Sequence, residues 1–416
     1  MDDIASELFR AIESDDVAAA EHLASGRLDL LNDDSRRPPL AAARSIAMAE
    51  QLLGLGADVV AVSKWWKNGL HARHVETAVA RYLIERGAVP TVHAAAALGF
   101  IDLLEKFLDA DPTLIQAKGC DGCRPLHFSR NIPTAQFLVA RGARWDSRDD
   151  DHDSTPAQWL IGDAPEVSRW LLEQGAAPDI FLAAALGDRP LAERLIAADR
   201  RCLASRIGKG SEFPALGYKG RGGTIYQWTL GFNNYPHQIA LKKGHDDLFQ
   251  FFFDQSDTTT QFLVCCVLAR REKAESILAR QPGLMESLSG DDLELLPRYC
   301  WETNLDYEAA RLMLDLGFPV ARTTPVYGFT PLHNAAWAGH AGLVELLLNR
   351  GHPTDVVDPT YKSTPLGWAL HDCLVEKRHP EGNFPHVVQL LIDAKSPLDG
   401  VKYPTGHVEI DKILKR

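Results

Sequence analysis

The stretch GFTPLHNAAWAGHAGLVELLLNRGHPTDVVD, residues 328–358, decides the fold. Thr330 stands where a side-chain oxygen can cap a helix, and Pro331 follows at the first helical position, where its missing N–H costs nothing. Small residues, Ala335 and Ala336, let a second helix approach closely, and Gly339 supplies a left-handed stop. A second apolar run, VELLL, ends at Gly351 in the same way. The segment therefore predicts two short antiparallel helices joined by tight turns.

The second half of this pattern recurs along the chain. Copies are AEQLLGLGAD (49–58), ARYLIERGAV (80–89), AQFLVARGAR (135–144), SRWLLEQGAA (168–177) and ARLMLDLGFP (310–319). Weaker ones are LLEKFLDADP (103–112), AERLIAADRR (192–201), LFQFFFDQSD (248–257), AESILARQPG (274–283) and VQLLIDAKSP (388–397). The first half recurs as CRPLHF (123–128), STPAQW (154–159), GTIYQW (223–228) and STPLGWA (363–369). A period of about 33 residues over most of a chain is the mark of a solenoid. It outranks the two or three domains that 416 residues would otherwise suggest.

These motifs resemble ankyrin repeats, with 328–358 matching the family's TPLH, AA, GH, LL and G positions nearly one by one. The resemblance covers roughly residues 5–400, is most specific in 120–180 and 325–400, and looks like the bacterial type in which full and shortened repeats alternate. It implies an all-α solenoid of about 10–12 helix–turn–helix units, several degenerate or lacking a full hairpin. One solenoid would span 1–400, with 401–416 as a C-terminal cap or tail. It also implies a concave binding face, projecting hairpin loops and a protein or peptide partner. Shortened units ending near Asp111, Asp199 and Gln281 depart from the pattern, so modules restart near 91, 179 and 260. Two insertions depart further: RIGKGSEFPALGYKGRGG at 206–223, and HDCLVEKRHPEGNFPH at 371–386, between the helices of the last repeat.

Composition narrows the function. Hydrophobic residues make up 45% and charged residues 24%, as in a well-cored globular chain. A net charge of −12 repels phosphate backbones, which argues against nucleic acid as a partner. No apolar run is long enough to span a membrane, and the start of the chain lacks the basic and apolar regions of a secretory leader. Seven scattered cysteines fit a reducing compartment, and the expected setting is cytoplasmic.

The position four residues after each cap is Phe128, Trp159, Trp228, Asn334 and Trp368, with Trp337 one turn beyond Asn334. Four aromatics in five units point either to a stripe of binding anchors or to core-filling rings. In the insert, LGYKGRGGT (216–224) sets Lys219 and Arg221 among glycines before Trp228. The reading is either an anion-binding loop or a loop that glycines merely let fold back. It lacks the spacing of a phosphate loop. If functional, Tyr218, Arg221, Tyr226 and Trp228 form one wall of a site.

DDDHD at 149–153 is read as a solvated loop tip rather than a metal site, CDGC at 120–123 as free turn thiols, and His127 and His333 as inter-loop hydrogen-bonding groups rather than catalysts. No cofactor and no metal are expected, and no nucleophile motif occurs. Two functions remain: a non-enzymatic interaction module, or a small-polar-ligand binder or enzyme with its site near 206–228.

Overall fold

The computed structural model describes residues 2–33, 38–60, 77–324 and 328–415. Residues 325–327, at the head of the second strongly patterned region, lie outside it. Every named element among the described residues is a helix, with one isolated antiparallel bridge, Lys209 to Phe213, and no strand. The chain divides into two compact units: residues 1–192 with 207–230, and residues 193–206 with 231–416.

Each unit is built from helix pairs. In the first, Val92–Leu98 pairs with Ile101–Ala110, a 3-10 turn at Pro125–Phe128 precedes Ile132–Ala140, and Pro156–Leu160 pairs with Pro165–Glu173. In the second, Pro236–Lys242 pairs with Asp246–Gln255, Pro331–Trp337 with Ala341–Asn349, and Pro365–His371 with Phe384–Asp393. The apolar stripe of each helix is buried, as Leu343, Val344 and Leu347 show in the second helix of the repeat that opens the sequence reading.

The glycines of the repeat do what their spacing requires. Gly56, Gly87, Gly142, Gly175, Gly317 and Gly351 all have positive φ, between 79° and 105°. Behind each, an amide reaches back five residues, as Ala143 N–H does to Leu138 O at 2.9 Å and His352 N–H to Leu347 O at 3.1 Å. This is the six-to-one closure that satisfies an orphan carbonyl at a helix end. In the weakest copy Lys395 takes the left-handed conformation instead, with Ser396 N–H bonded to Leu391 O.

The shortened units end differently, as their sequences suggest. Asp111 and Asp199 are extended rather than left-handed, and each carboxylate caps a 3-10 turn, at Pro112–Gln116 and Arg200–Ala204. The modules then restart at side-chain caps Thr91, Asp179 and Asp257. The unit at Thr224 departs from the pattern. It lacks the proline of the other copies, and its first helix is reduced to a π turn at Gln227–Gly231.

Candidate functional site

Two loops of the chain fold around a buried carboxylate in the same way. Asp149 Oδ1 accepts the N–H of Asp151 at 3.0 Å and of His152; its Oδ2 accepts the N–H of Ser154 at 2.8 Å and the Trp159 indole N–H at 2.9 Å. Asp358 repeats every offset. Oδ1 accepts from the amides of Thr360 and Tyr361, and Oδ2 from Ser363 N–H at 3.1 Å and the Trp368 indole at 3.0 Å. Each loop closes by a hydrogen bond from the aspartate backbone N–H to the carbonyl oxygen of the serine five residues on, and each carries a left-handed residue before that serine, Asp153 or Lys362. The hydrogen bonds hold Asp358 below the ordinary carboxylate range, although burial alone pushes it up.

This latch fixes the tryptophans. Trp159 and Trp368 are buried, and Trp368 sits edge-on to Phe329 with ring centroids 4.5 Å apart. The preceding repeat's histidine braces each loop. His127 Nε2–H donates to Ser154 O and His333 Nε2–H to Ser363 O, at 3.3 and 3.1 Å. The carbonyl acceptors fix the proton on Nε2, so Nδ1 accepts from the cap residues Arg124 and Thr330. Burial pulls His127 down to about 4 and lowers His333, so both are neutral at pH 7. These histidines are loop braces, as the PLH motif suggests.

Most of the supposed aromatic stripe is therefore core, which corrects the surface reading for five positions. Trp159 and Trp368 are buried beneath their own loops, and Phe128 is buried against Trp159. Asn334 is buried and donates its amide to Pro297 O at 2.8 Å. Tyr226 is fully enclosed, and its hydroxyl donates to Asp179 Oδ2 at 2.6 Å, beside Gln158 Nε2 at 2.9 Å. Burial raises Asp179 and lifts Tyr226 well above its usual value, so this pair is an interior hydrogen bond and not a wall open to solvent. Trp337 is half-buried, its indole N–H directed to Glu302 Oε2 at 3.3 Å.

Trp228 is the exception. It stands four residues after its cap like Trp159 and Trp368, but the residue ten places before it is Tyr218, not aspartate. No carboxylate holds the indole, and 66% of Trp228 is exposed. The same insert exposes Leu216 and Tyr218, at 49% and 39%.

The insert is ordered by its own bonds. Gln227 ties it together: its Oε1 accepts Leu216 N–H at 3.1 Å, and its Nε2 donates to Thr224 O at 3.1 Å and Gly222 O at 3.3 Å. Gly222 N–H donates to Asp151 Oδ1 at 2.8 Å, His152 Nδ1 lies 2.9 Å from Gly223 O, and Arg221 faces Asp153 at 3.9 Å. A Cβ on Gly222 would fall 2.3 Å from Asp151 Oδ2. Phe213 is buried edge-on to Phe181, centroids 4.7 Å apart.

The anion-loop reading of LGYKGRGGT is thereby corrected. The amides of Gly220, Arg221, Gly222 and Thr224 are spent on Gly217, Tyr218, Asp151 and Pro214, leaving no nest of free donors there. The glycines let the loop fold back. DDDHD also differs from a plain solvated tip: Asp149 is buried in the latch, Asp150 pairs with Lys118 at 2.9 Å, and Asp151 and Asp153 hold the insert. All seven cysteines are free of disulfides. Among the described residues no helix is long and apolar enough to cross a membrane, and no group of His, Cys, Asp and Glu is arranged to hold a metal.

The latch was missed in the sequence, although a signal was present. Residues 149–159 and 358–368 share D-x-x-x-x-S-T-P-x-x-W, whereas 218–228 keeps only its Thr and Trp, with Tyr218, Gly223 and Ile225 in place of Asp, Ser and Pro.

A family model described as ankyrin repeats in many copies matches residues 306–371. Comparison with curated proteins gave no match. Among solved structures, the chain is similar to the human ASB11 ankyrin repeat domain at 17% identity, over 74% of this chain and 99% of that one, with a TM-score of 0.26. It is similar to the ankyrin repeat domain of Bcl-3 at 14% identity, over 58% and 99%, with a TM-score of 0.32.

Proposed function

We propose that this chain, whose residues 306–371 match the ankyrin-repeat family model, is a non-enzymatic interaction module that binds a protein or peptide partner through the 206–228 insert and the 149–154 hairpin loop beneath it. Ankyrin repeats generally serve protein–protein interaction. The observation that carries the reading is the exposure of Trp228. A large indole left 66% open on an ordered loop, where its equivalents are latched and buried, provides contact area with little rotamer entropy to lose. Leu216 and Tyr218 extend that apolar surface, and Lys219 and Arg221 edge it with positive charge. Trp228, Tyr218 and Arg221 thus remain the contact residues of this proposal. The alternation of full and shortened repeats and the free cysteines support a bacterial, cytoplasmic setting.

The test is quantitative capture from the source cell lysate with the full chain and with Trp228→Ala. A partner retained in stoichiometric amount by the wild type and lost by the variant, at unchanged thermal midpoint, supports the reading. Retention of every captured protein by the variant refutes it.

A further inference from the structure

Cys120 and Cys123 stand at the two ends of one tight turn in the first unit. Cys123 N–H donates to Cys120 O at 2.9 Å, and Gly119 N–H donates to Cys123 O at 2.7 Å. The residues between them, Asp121 and Gly122, are both left-handed, with φ of 54° and 76°. Two left-handed central residues make the mirror-image turn of a hairpin, in which the flanking residues face each other. The Cα atoms at the ends of such a turn lie under about 7 Å apart, and a disulfide spans about 4.4–6.8 Å. Both residues are thiols in this structure, Cys120 partly exposed and Cys123 buried.

The other cysteines lack this arrangement. Burial pushes the Cys265, Cys266 and Cys300 thiols up, which keeps them protonated and unreactive. Cys202 and Cys373 have no neighbouring cysteine in the sequence.

The same turn supports the 149–154 hairpin. Asp121 O accepts the N–H of Asp150 at 2.8 Å and of Asp151 at 3.2 Å. A Cβ on Gly122 would fall 2.4 Å from Asp150 Cγ, so the two loops are in direct contact. Asp121 holds its left-handed backbone without being glycine, a sparsely populated conformation. With two thiols at its ends the turn can relax out of that conformation. A covalent bridge across the ends removes those open states.

We propose that Cys120 and Cys123 are a redox-sensing dithiol, closed to a disulfide by exchange with a low-molecular-weight disulfide such as oxidised glutathione, and that closure tightens the hold of the turn on the 149–154 hairpin. Exposure sets the order of steps. The Cys120 thiolate, its proton released to solvent, attacks one sulfur of the oxidant; the oxidant's S–S bond breaks, and its other half leaves as a thiol with a solvent proton. Cys123, deprotonated in turn, attacks Cys120 Sγ in the mixed disulfide and releases the second thiol. Two cysteine thiols are thereby oxidised to one disulfide, and the external disulfide is reduced to two thiols. In a reducing compartment the pair rests as thiols and closes when the external disulfide accumulates. The switch acts on the hairpin whatever the insert above it binds.

The experiment equilibrates the full chain in glutathione buffers of rising oxidised fraction, quenches with acid, alkylates the remaining thiols under denaturing conditions and weighs the tryptic peptide 119–130. That peptide contains Cys120 and Cys123 and no other cysteine. The wild type should give it unalkylated and lighter by two hydrogens. Cys123→Ser should stop with one glutathione on Cys120, and Cys120→Ser should leave Cys123 unmodified. In the oxidised wild type the Asp150 and Asp151 amides should exchange about tenfold more slowly, with the helix Pro331–Trp337 of the second unit unchanged. Glutathione accumulating on Cys120 of the wild type without a bridge, or no reaction at either cysteine, overturns the proposal. So does a bridge that leaves the Asp150 and Asp151 amides unchanged. If a serine variant fails to fold, the peptide mass and the exchange of the unaltered chain decide alone.

Discussion

Replacing Asp149 by Asn tests the latch with the least change in shape. One carboxylate oxygen becomes an NH₂ group, which must then face either the amides of Asp151 and His152 or the Ser154 amide and the Trp159 indole. Either way two hydrogen bonds to a charged acceptor are replaced by donor–donor contacts. Hydrogen bonds to charged groups contribute about 1.5–3 kcal/mol each, so the gross loss is about 3–6 kcal/mol. A neutral amide costs less to bury than a carboxylate, which returns part of this, and the expected net loss is about 2–4 kcal/mol of local stability. Repeat arrays need not unfold in one step, so a single global midpoint is the wrong observable. Native-state hydrogen exchange is the right one. Amides of the Pro156–Leu160 and Pro165–Glu173 helices should exchange roughly 30- to 700-fold faster, at about 1.4 kcal/mol per tenfold. Trp159 fluorescence should become more accessible to a soluble quencher. A change under about threefold would refute the view that the carboxylate holds this loop.

The tryptophans should separate by burial. Trp368→Ala should cost about 3–5 kcal/mol of local stability, as for other buried aromatics, while Trp228→Ala should stay within about 0.5 kcal/mol; exchange and chemical denaturation check both. Gly222→Ala should displace the insert, since its Cβ meets Asp151 Oδ2 at 2.3 Å and His152 Cε1 at 2.7 Å. Faster exchange confined to 207–230, with partner capture lost, is the expected outcome. Acid should destabilise the fold through its buried histidines. His127 and His352 are lowered to about 4 and His237 to about 3, all by burial, against 6.5 when unfolded. The unfolded chain binds these protons first, so this contribution is complete above pH 6.5 and is lost as pH falls toward 4. Denaturant titrations from pH 7 to 4 should show that loss, reduced in His127→Gln; a flat profile would contradict it.

What the sequence made legible follows from chemistry written in local spacing. Gly142 or Gly351 after an apolar run, and Thr330-Pro331 before one, each name a helix boundary without reference to the rest of the chain. Lys395 shows the limit: a left-handed lysine replaces glycine because the closing bond from Ser396 to Leu391 still forms. The site was less legible because it depends on a contact ten residues long. Trp159, Trp228 and Trp368 occupy one repeat position and look equivalent until Asp149 and Asp358 are paired with the first and last. Asp149 was hidden in a run of four aspartates, of which it alone is buried. Tyr226 reads as a surface aromatic because its partner, Asp179, caps another helix 47 residues away. The glycines of 217–223 have the composition of an anion loop, and only the bonds from their amides show that those donors are already used.

We propose that Trp228, which no aspartate latches, is where this chain meets its partner. The most direct measurement is the hydrogen-exchange footprint of the full chain in complex with the protein that it retains. Protection gained chiefly in 213–230 and 149–155, and abolished by Trp228→Ala, is the expected result. A footprint that leaves those segments unprotected would contradict the claim.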